Sequence, residues 1–230
     1  MLAFVLAQLL LLAPAQDAAA TAPRSYQPEF ENARVRVTRV RYGPREKIVS
    51  HDHPANPTVY VYLRDSGPVR FIHTGEERFT LTRPAVRAGG FRLSRGARET
   101  HAVESLTDRL TEYLRVELKG LSVDRQVFRG RFPPEPPAGR GRGTQKVRFE
   151  DRQVRITRVT CAARRTCYGL GASGAASLAV ALTPARLKSE VGGAEVPLAL
   201  GQTMWSEAGA APSFVNSSDG PAEFLRIDLK

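Results

Sequence analysis

Helical periodicity is missing from this 230-residue chain: no stretch carries an apolar stripe at the 3.6-residue repeat, and Leu106 to Leu114 would supply one turn at most. Long low-complexity tracts are missing too, and the composition is that of a globular protein with ample Val, Leu, Ile and Phe for cores. Lysine is scarce. Of 34 cationic side chains only five are Lys (Lys47, Lys119, Lys146, Lys188 and Lys230), and with abundant Ala, Gly and Pro this bias reads as GC-rich coding more than selection for phosphate. The formal charge of +11 is scattered along strand-like segments instead of gathered on one helix or arm. Nucleic acid is therefore not expected as a partner, and the charge points to anionic ligands or surfaces. There are two cysteines, Cys161 and Cys167, whose five intervening residues exclude a thioredoxin-type redox motif.

What is present begins with an apolar run, Met1 to Ala15, ending in small residues. It reads as a signal peptide over residues 1–22, although no Lys or Arg precedes it, and it is too short for a stable membrane span. The expected location is secreted or periplasmic. In an exported protein the cysteine pair is read first as a disulfide, closing a short hairpin loop and adding roughly 2 kcal/mol; two free thiols are the competing reading.

One unit is written twice. Phe30–Val40 recurs as Phe149–Val159 with seven of eleven positions identical at an offset of 119, and Glu112–Lys119 matches Glu223–Lys230 at an offset of 111. A period this long indicates a duplicated domain and not a solenoid. The predicted organisation is a first domain over residues 26–120, a Pro/Gly/Arg-rich linker over 121–146 and a second domain over 147–230. From Arg129 to Lys146, proline and glycine argue against persistent strand or helix.

Within each copy apolar residues alternate with polar ones: Val35 and Val37, Val59 and Val61, Phe79 and Leu81, and Leu114, Val116 and Leu118. A period of two means strands. Turn signals at Gly43-Pro44, Asp65 to Pro68, Thr74 to Glu76 and Gly89-Gly90 separate them, which predicts an all-β sandwich or small barrel. The apolar phase slips by one between Val37 and Val40, and again between Ile156 and Val159, predicting bulges at Thr38 and Thr157.

Three of the four histidines carry the functional signal. His51 and His53 sit two apart, which in a strand places both imidazoles on one face, about 7 Å apart along the chain. His101 opens a later strand and can close a metal site from a neighbouring one. His73 is expected as an exposed hairpin residue. With Gly43 before His51-Asp-His53 and Gly67 after it, and Gly90 leading to His101, the chain resembles the cupin superfamily. That resemblance implies two tandem antiparallel cupin-type β-barrels, a double-stranded β-helix or jelly roll, with a metal in the mouth of the first. It also exposes departures: Pro57 or Thr58 stands where the family's glutamate belongs, and Ser105 where an asparagine is common.

The expected metal ligands are thus His51, His53 and His101, an imidazole set accepted by Fe, Ni, Mn, Cu or Zn. Thr58, Tyr60, Tyr62 and Glu99 are the expected ligand-binding residues, Glu99 because it shares a strand face with His101. The repeat offsets replace the ligands in the second copy, with Leu170 for His51, Ala172 for His53, Ser177 for Thr58 and Pro212 for His101, while Asn216 keeps the asparagine. The second barrel is expected to have a repacked, small-residue interior. Two functions follow: a binding module holding a metal and a small, anionic or sugar-like molecule, or a three-His dioxygenase or isomerase acting on a small acid, diketone or sugar. Exposed barrel edges favour a homodimer or barrel-to-barrel packing within the chain.

Overall fold

A computed structural model describes residues 17–230 apart from 76–77, 137–142, 172–173, 191 and 211–212. Residues 1–16 of the leader expected over residues 1–22 lie outside the described residues, as do Ala172, Pro212 and the centre of the linker. One helical turn, α1 (Ala18–Thr21), precedes ten strands of the first unit: β1 (Tyr26–Glu31), β2 (Val35–Tyr42), β3 (Lys47–His53), β4 (Thr58–Tyr62), β5 (Val69–Thr74), β6 (Arg78–Arg83), β7 (Phe91–Ser94), β8 (Glu99–Ser105), β9 (Thr111–Leu118) and β10 (Gly130–Phe132). The second unit contributes β11 (Thr144–Glu150), β12 (Val154–Cys161), β13 (Arg165–Thr166), β14 (Ala176–Ala181), β15 (Ala185–Ser189), β16 (Val196–Leu198), β17 (Thr203–Ser206), β18 (Phe214–Asn216) and β19 (Ala222–Leu229). Among the described residues no helix is long and apolar enough to cross a membrane.

The strands form four antiparallel sheets, two per unit. The first unit has an inner sheet in the order β1-β2-β9-β4-β7-β10 and an outer sheet β3-β8-β5-β6; the second has β11-β12-β19-β14-β17 and β13-β18-β15-β16. Strand for strand, the second order repeats the first without an equivalent of β10. Each unit is thus a jelly-roll pair of facing sheets, and the two inner sheets pack on each other.

Alternation explains this layering. On β2, Val35 and Val37 enter an apolar slab between the units, whereas Val40 and Tyr42 point into the first unit's interior. On β9, Leu114, Val116 and Leu118 enter the same slab, leaving Tyr113, Arg115 and Glu117 on the opposite face. Phe149, Ile156, Leu178, Leu225 and Ile227 of the second unit complete it. Strands buried on both faces lose the simple apolar/polar contrast.

That two-sided burial corrects the bulge reading. The β2–β9 ladder runs without interruption from Val35↔Leu118 to Tyr42↔Thr111, and β12–β19 runs equally evenly. The apparent phase slip marks a change in which face carries the large apolar residues. The register shifts fall on the edge strands opposite, between Pro28 and Phe30 of β1 and between Val147 and Phe149 of β11. The linker reading also needs correction, because Gly130–Phe132 pairs with β7. Phe132 stacks on Phe91 at 4.4 Å, and Phe128 is fully buried, so apolar anchoring holds this segment on the sheet despite its prolines.

The units clasp each other reciprocally. The Arg158 guanidinium donates to the Gly89 carbonyl at 2.8 Å, and the Arg39 guanidinium lies against Gly201. Both glycines have left-handed backbones (φ +76° and +78°). A Cβ at Gly201 would meet Leu63 at 2.5 Å and Arg39 at 2.8 Å. Gly201→Ala is therefore expected to cost about 2 kcal/mol from left-handed strain plus overpacking. A lowered urea midpoint checks this; an unchanged one would mean the units do not meet there.

Candidate metal centre

β3 and β8 are neighbours in the outer sheet, and their register sets His51 opposite His101 and His53 opposite Glu99. Two polar pairs thus share one face of two adjacent strands. All three histidines are buried, their ring centroids lie 4.9 to 5.1 Å apart, and one nitrogen from each falls within a set spanning 4.8 Å. Bonds of about 2 Å reach about 4 Å across an ion, so modest ring rotation brings all three onto one centre.

The lone pairs are oriented for this. His51 Nδ1 faces the Val49 carbonyl at 2.8 Å; a carbonyl only accepts, so Nδ1 carries the proton and Nε2 is left with its lone pair. Glu99 Oε2 lies 3.5 Å from His101 Nδ1. A proton held there frees His101 Nε2 in the same way, as carboxylate–histidine–metal triads do. His51 Nε2, both His101 nitrogens and Glu99 Oε2 are buried without hydrogen-bond partners. Unmet buried lone pairs are costly, and a cation satisfies them, so these residues fit a metal ion.

The imidazoles are held neutral. Burial lowers the pKa of His51, against the pull of the Val49 carbonyl. For His53 burial acts first and the Arg115 guanidinium second, taking it well below the ordinary imidazole value. His101 is pushed down to about 2 by burial and by the neighbouring His51 and Arg83.

Thr58, Tyr60 and Tyr62 are buried on the inward face of β4. Thr58 donates its hydroxyl to the Asn56 carbonyl and offers no charge. Tyr60 accepts from Arg115 Nη1 at 2.9 Å, and Arg115 Nε donates to Glu117, which in turn accepts from Asn56. Glu99, Tyr60 and Tyr62 therefore share the interior with the imidazoles.

Sequence reasoning misplaced His73. It is not an exposed hairpin residue: it is 8% exposed, stacked on Phe79 at 4.1 Å and directly across from His101, ring to ring at 5.2 Å. Its period-two spacing with Phe71, a core residue, was the available signal. Tyr26 was missed too; its ring lies 4.8 Å from His51 and 5.6 Å from His53. Its hydroxyl heads a buried chain through Tyr42 to Tyr113, with links of 2.9 and 2.7 Å.

The second unit has no such cluster among the described residues. β13, the counterpart of β3, ends at Thr166, and Leu170 is buried in an apolar cluster with Ala179, Ala181 and Ala185. A disulfide joins Cys161 to Cys167, positions that the repeat matches to Tyr42 and Ile48, both core residues of the first unit. Arg226 pairs with Asp228 and donates to the Gly169 carbonyl.

No family model matches the sequence, and no curated protein matches it. Solved structures do. A "Cupin 2 conserved barrel domain protein" from Leptotrichia buccalis superposes with a TM-score of 0.54 at 12% identity, covering 89% of this chain and 88% of that one. An oxalate decarboxylase variant from Bacillus subtilis gives 0.55 at 11% identity, covering 90% and 76%. A salicylate 1,2-dioxygenase variant from Pseudoaminobacter salicylatoxidans gives 0.52 at 13%, covering 85% and 71%. At these identities the likeness is one of fold.

Two outcomes test the centre. Glu99→Gln should weaken metal affinity by about tenfold or more while the fold persists, read by equilibrium dialysis against zinc; undiminished affinity would remove Glu99 from the site. Metal-free protein should lose stability as pH falls below about 6.5. Folding depresses these histidine pKa values, so the unfolded chain binds more protons below that pH, and the contribution is fully present only above it. A denaturation midpoint flat from pH 7.5 to 5 would contradict the burial of neutral imidazoles.

Proposed function

We propose that this chain, a tandem protein of cupin fold, binds one divalent transition-metal ion through His51, His53 and His101 and presents it to a small molecule in its first unit. The convergence of three buried imidazoles, with unpaired nitrogens on His51 and His101, carries this reading. A bound divalent ion would supply Lewis acidity toward an oxygen donor. The chain's residues do the rest: Glu99 fixes the His101 tautomer, Tyr26 and Phe71 wall the imidazoles, and Tyr60 and Tyr62 line the space beside them. The second unit, which has no such histidine cluster among the described residues, acts as a structural partner. The apolar run at residues 1–15 supports export, to the periplasm or outside the cell.

Catalysis is the second reading, and the buried tyrosine chain favours it. The Tyr26–Tyr42–Tyr113 hydroxyls form a hydrogen-bonded chain whose first ring packs against His51 and His53. Burial, followed by Tyr113 for Tyr26 and by neighbouring tyrosines for the others, raises their pKa values well above the ordinary phenol range, so they would relay protons as neutral hydroxyls. The solved proteins of like fold include a decarboxylase and a dioxygenase by name, which makes small acids the first substrates to try.

Metal analysis of the purified full chain beside His51→Ala/His101→Ala separates these ideas from a bare scaffold. The expected result is near-stoichiometric metal in the parent and its loss in the variant. Equal content in both would end the metal reading; oxygen uptake with small acids and diketones then distinguishes enzyme from binder.

A further inference from the structure

Arg83, Arg92 and Arg115 turn toward the interior of the first unit, and of these three only Arg115 is paired with a carboxylate among the described residues. Arg92, directly opposite Tyr60 in the β4–β7 register, lays its guanidinium carbon 4.6 Å from the Tyr60 ring centre. Arg83, at the end of β6, lies 3.9 Å from the centre of Phe71 and 5.7 Å from that of Tyr60. Nε of Arg83, and Nε and Nη2 of Arg92, are buried with no hydrogen-bond partner. Among the described residues no Asp or Glu forms an ion pair with either, whereas Arg36, Arg39, Arg41, Arg64 and Arg70 all have one.

Ring contacts compensate the faces of a guanidinium but leave its edge donors unused. Burial, then the repulsion of Arg83, pulls the Arg92 pKa below its ordinary value. Glu117 pairs with Arg115, and Glu99, beside the neutral His101, attracts Arg92 without forming an ion pair with it. A divalent ion at the imidazoles would leave the interior still more positive. An anion is the missing component. Free in-plane N–H groups on a planar fork match the two oxygens of a carboxylate. Arg83, with Tyr42, Tyr62, Phe71 and Tyr113, lines an adjoining cavity of about 20 Å³, which a ligand larger than a water would have to widen. Phe71 touches His101 at 5.1 Å, so one ring separates Arg83 from the imidazoles.

We infer that Arg83 and Arg92 form an oxyanion subsite that takes the carboxylate of a small organic acid, a second oxygen of which faces the three histidines. Only that second contact rests on the metal reading above; the anion contact does not.

Malonate, with malonamide as its uncharged counterpart, probes this by titration calorimetry on the full-length protein, metal-free and zinc-loaded, beside Arg83→Gln/Arg92→Gln. Metal-free parent protein should bind malonate and not malonamide, and the double variant should bind it about tenfold more weakly or worse while keeping its zinc. Without the buried unpaired cations the ligand-free variant should melt at or above the parent temperature. Equal malonate affinity in parent and variant, equal binding of the diamide, or a variant that melts lower would each overturn the subsite. Should the variant fail to fold, the parent decides: a melting temperature raised by malonate and not by malonamide at equal ionic strength supports the subsite, and no selective rise overturns it. Failure to take up zinc would count against the metal reading alone.

Discussion

Burial of the inner sheets on both faces is the constraint from which the rest of the molecule follows. Because side chains alternate along a strand, β2, β4 and β9 can send one set of residues into the apolar slab between the units and hold a different set for the interior of the first unit. The slab is built from Val, Leu, Ile and Phe of both units, and burying such side chains contributes roughly 1.5 to 3 kcal/mol each. That contribution permits an interior rich in tyrosine, arginine and histidine, whose burial alone would oppose folding.

The duplicated units then diverge on their interior faces and keep their slab faces alike. Arg115 with Glu117 in one unit corresponds to Arg226 with Asp228 in the other, both pairs buried. Around the first pair the chain places histidines and tyrosines; around the second it places alanine, leucine and a disulfide, with the Arg226 guanidinium turned to the Gly169 carbonyl. β13 is two residues long, and Leu170, which the repeat sets at the place of His51, lies beyond its end in an apolar cluster. Among the described residues the buried histidine cluster belongs to one half of the molecule only.

Much of this was legible in the chain. The repeat fixed two units of like topology, period-two alternation identified strands, and His51, His53 and His101 stood at spacings that strand geometry can bring together. Other features were not legible because they depend on pairing across long sequence separations. A strand buried on both sides reads locally as a slip of phase, which is why Thr38 and Thr157 looked like bulges. Arg92, Arg95 and Arg98 stand close enough to His101 in the chain to suggest binding of a carboxylate or phosphate, but that Arg92 turns inward shows only once Phe91 and Leu93 are seen to occupy the slab. His73 looked like a hairpin residue because its partner, His101, is remote in sequence. The prolines around β10 hid the anchoring of Phe128 and Phe132, which only the facing sheet reveals.

The clasp of Arg39 on Gly201 and of Arg158 on Gly89 is reciprocal: each half grips the other with the same residue at the same place. Such mutual correspondence is the geometry of an isologous homodimer, here carried within one polypeptide. A chain with a single copy would have to meet a twin to cover its slab face, and every change in one partner would be imposed on both. Within one chain that coupling is absent, so one unit can hold a polar interior while the other is filled by small apolar residues and a disulfide, with the seam between them kept.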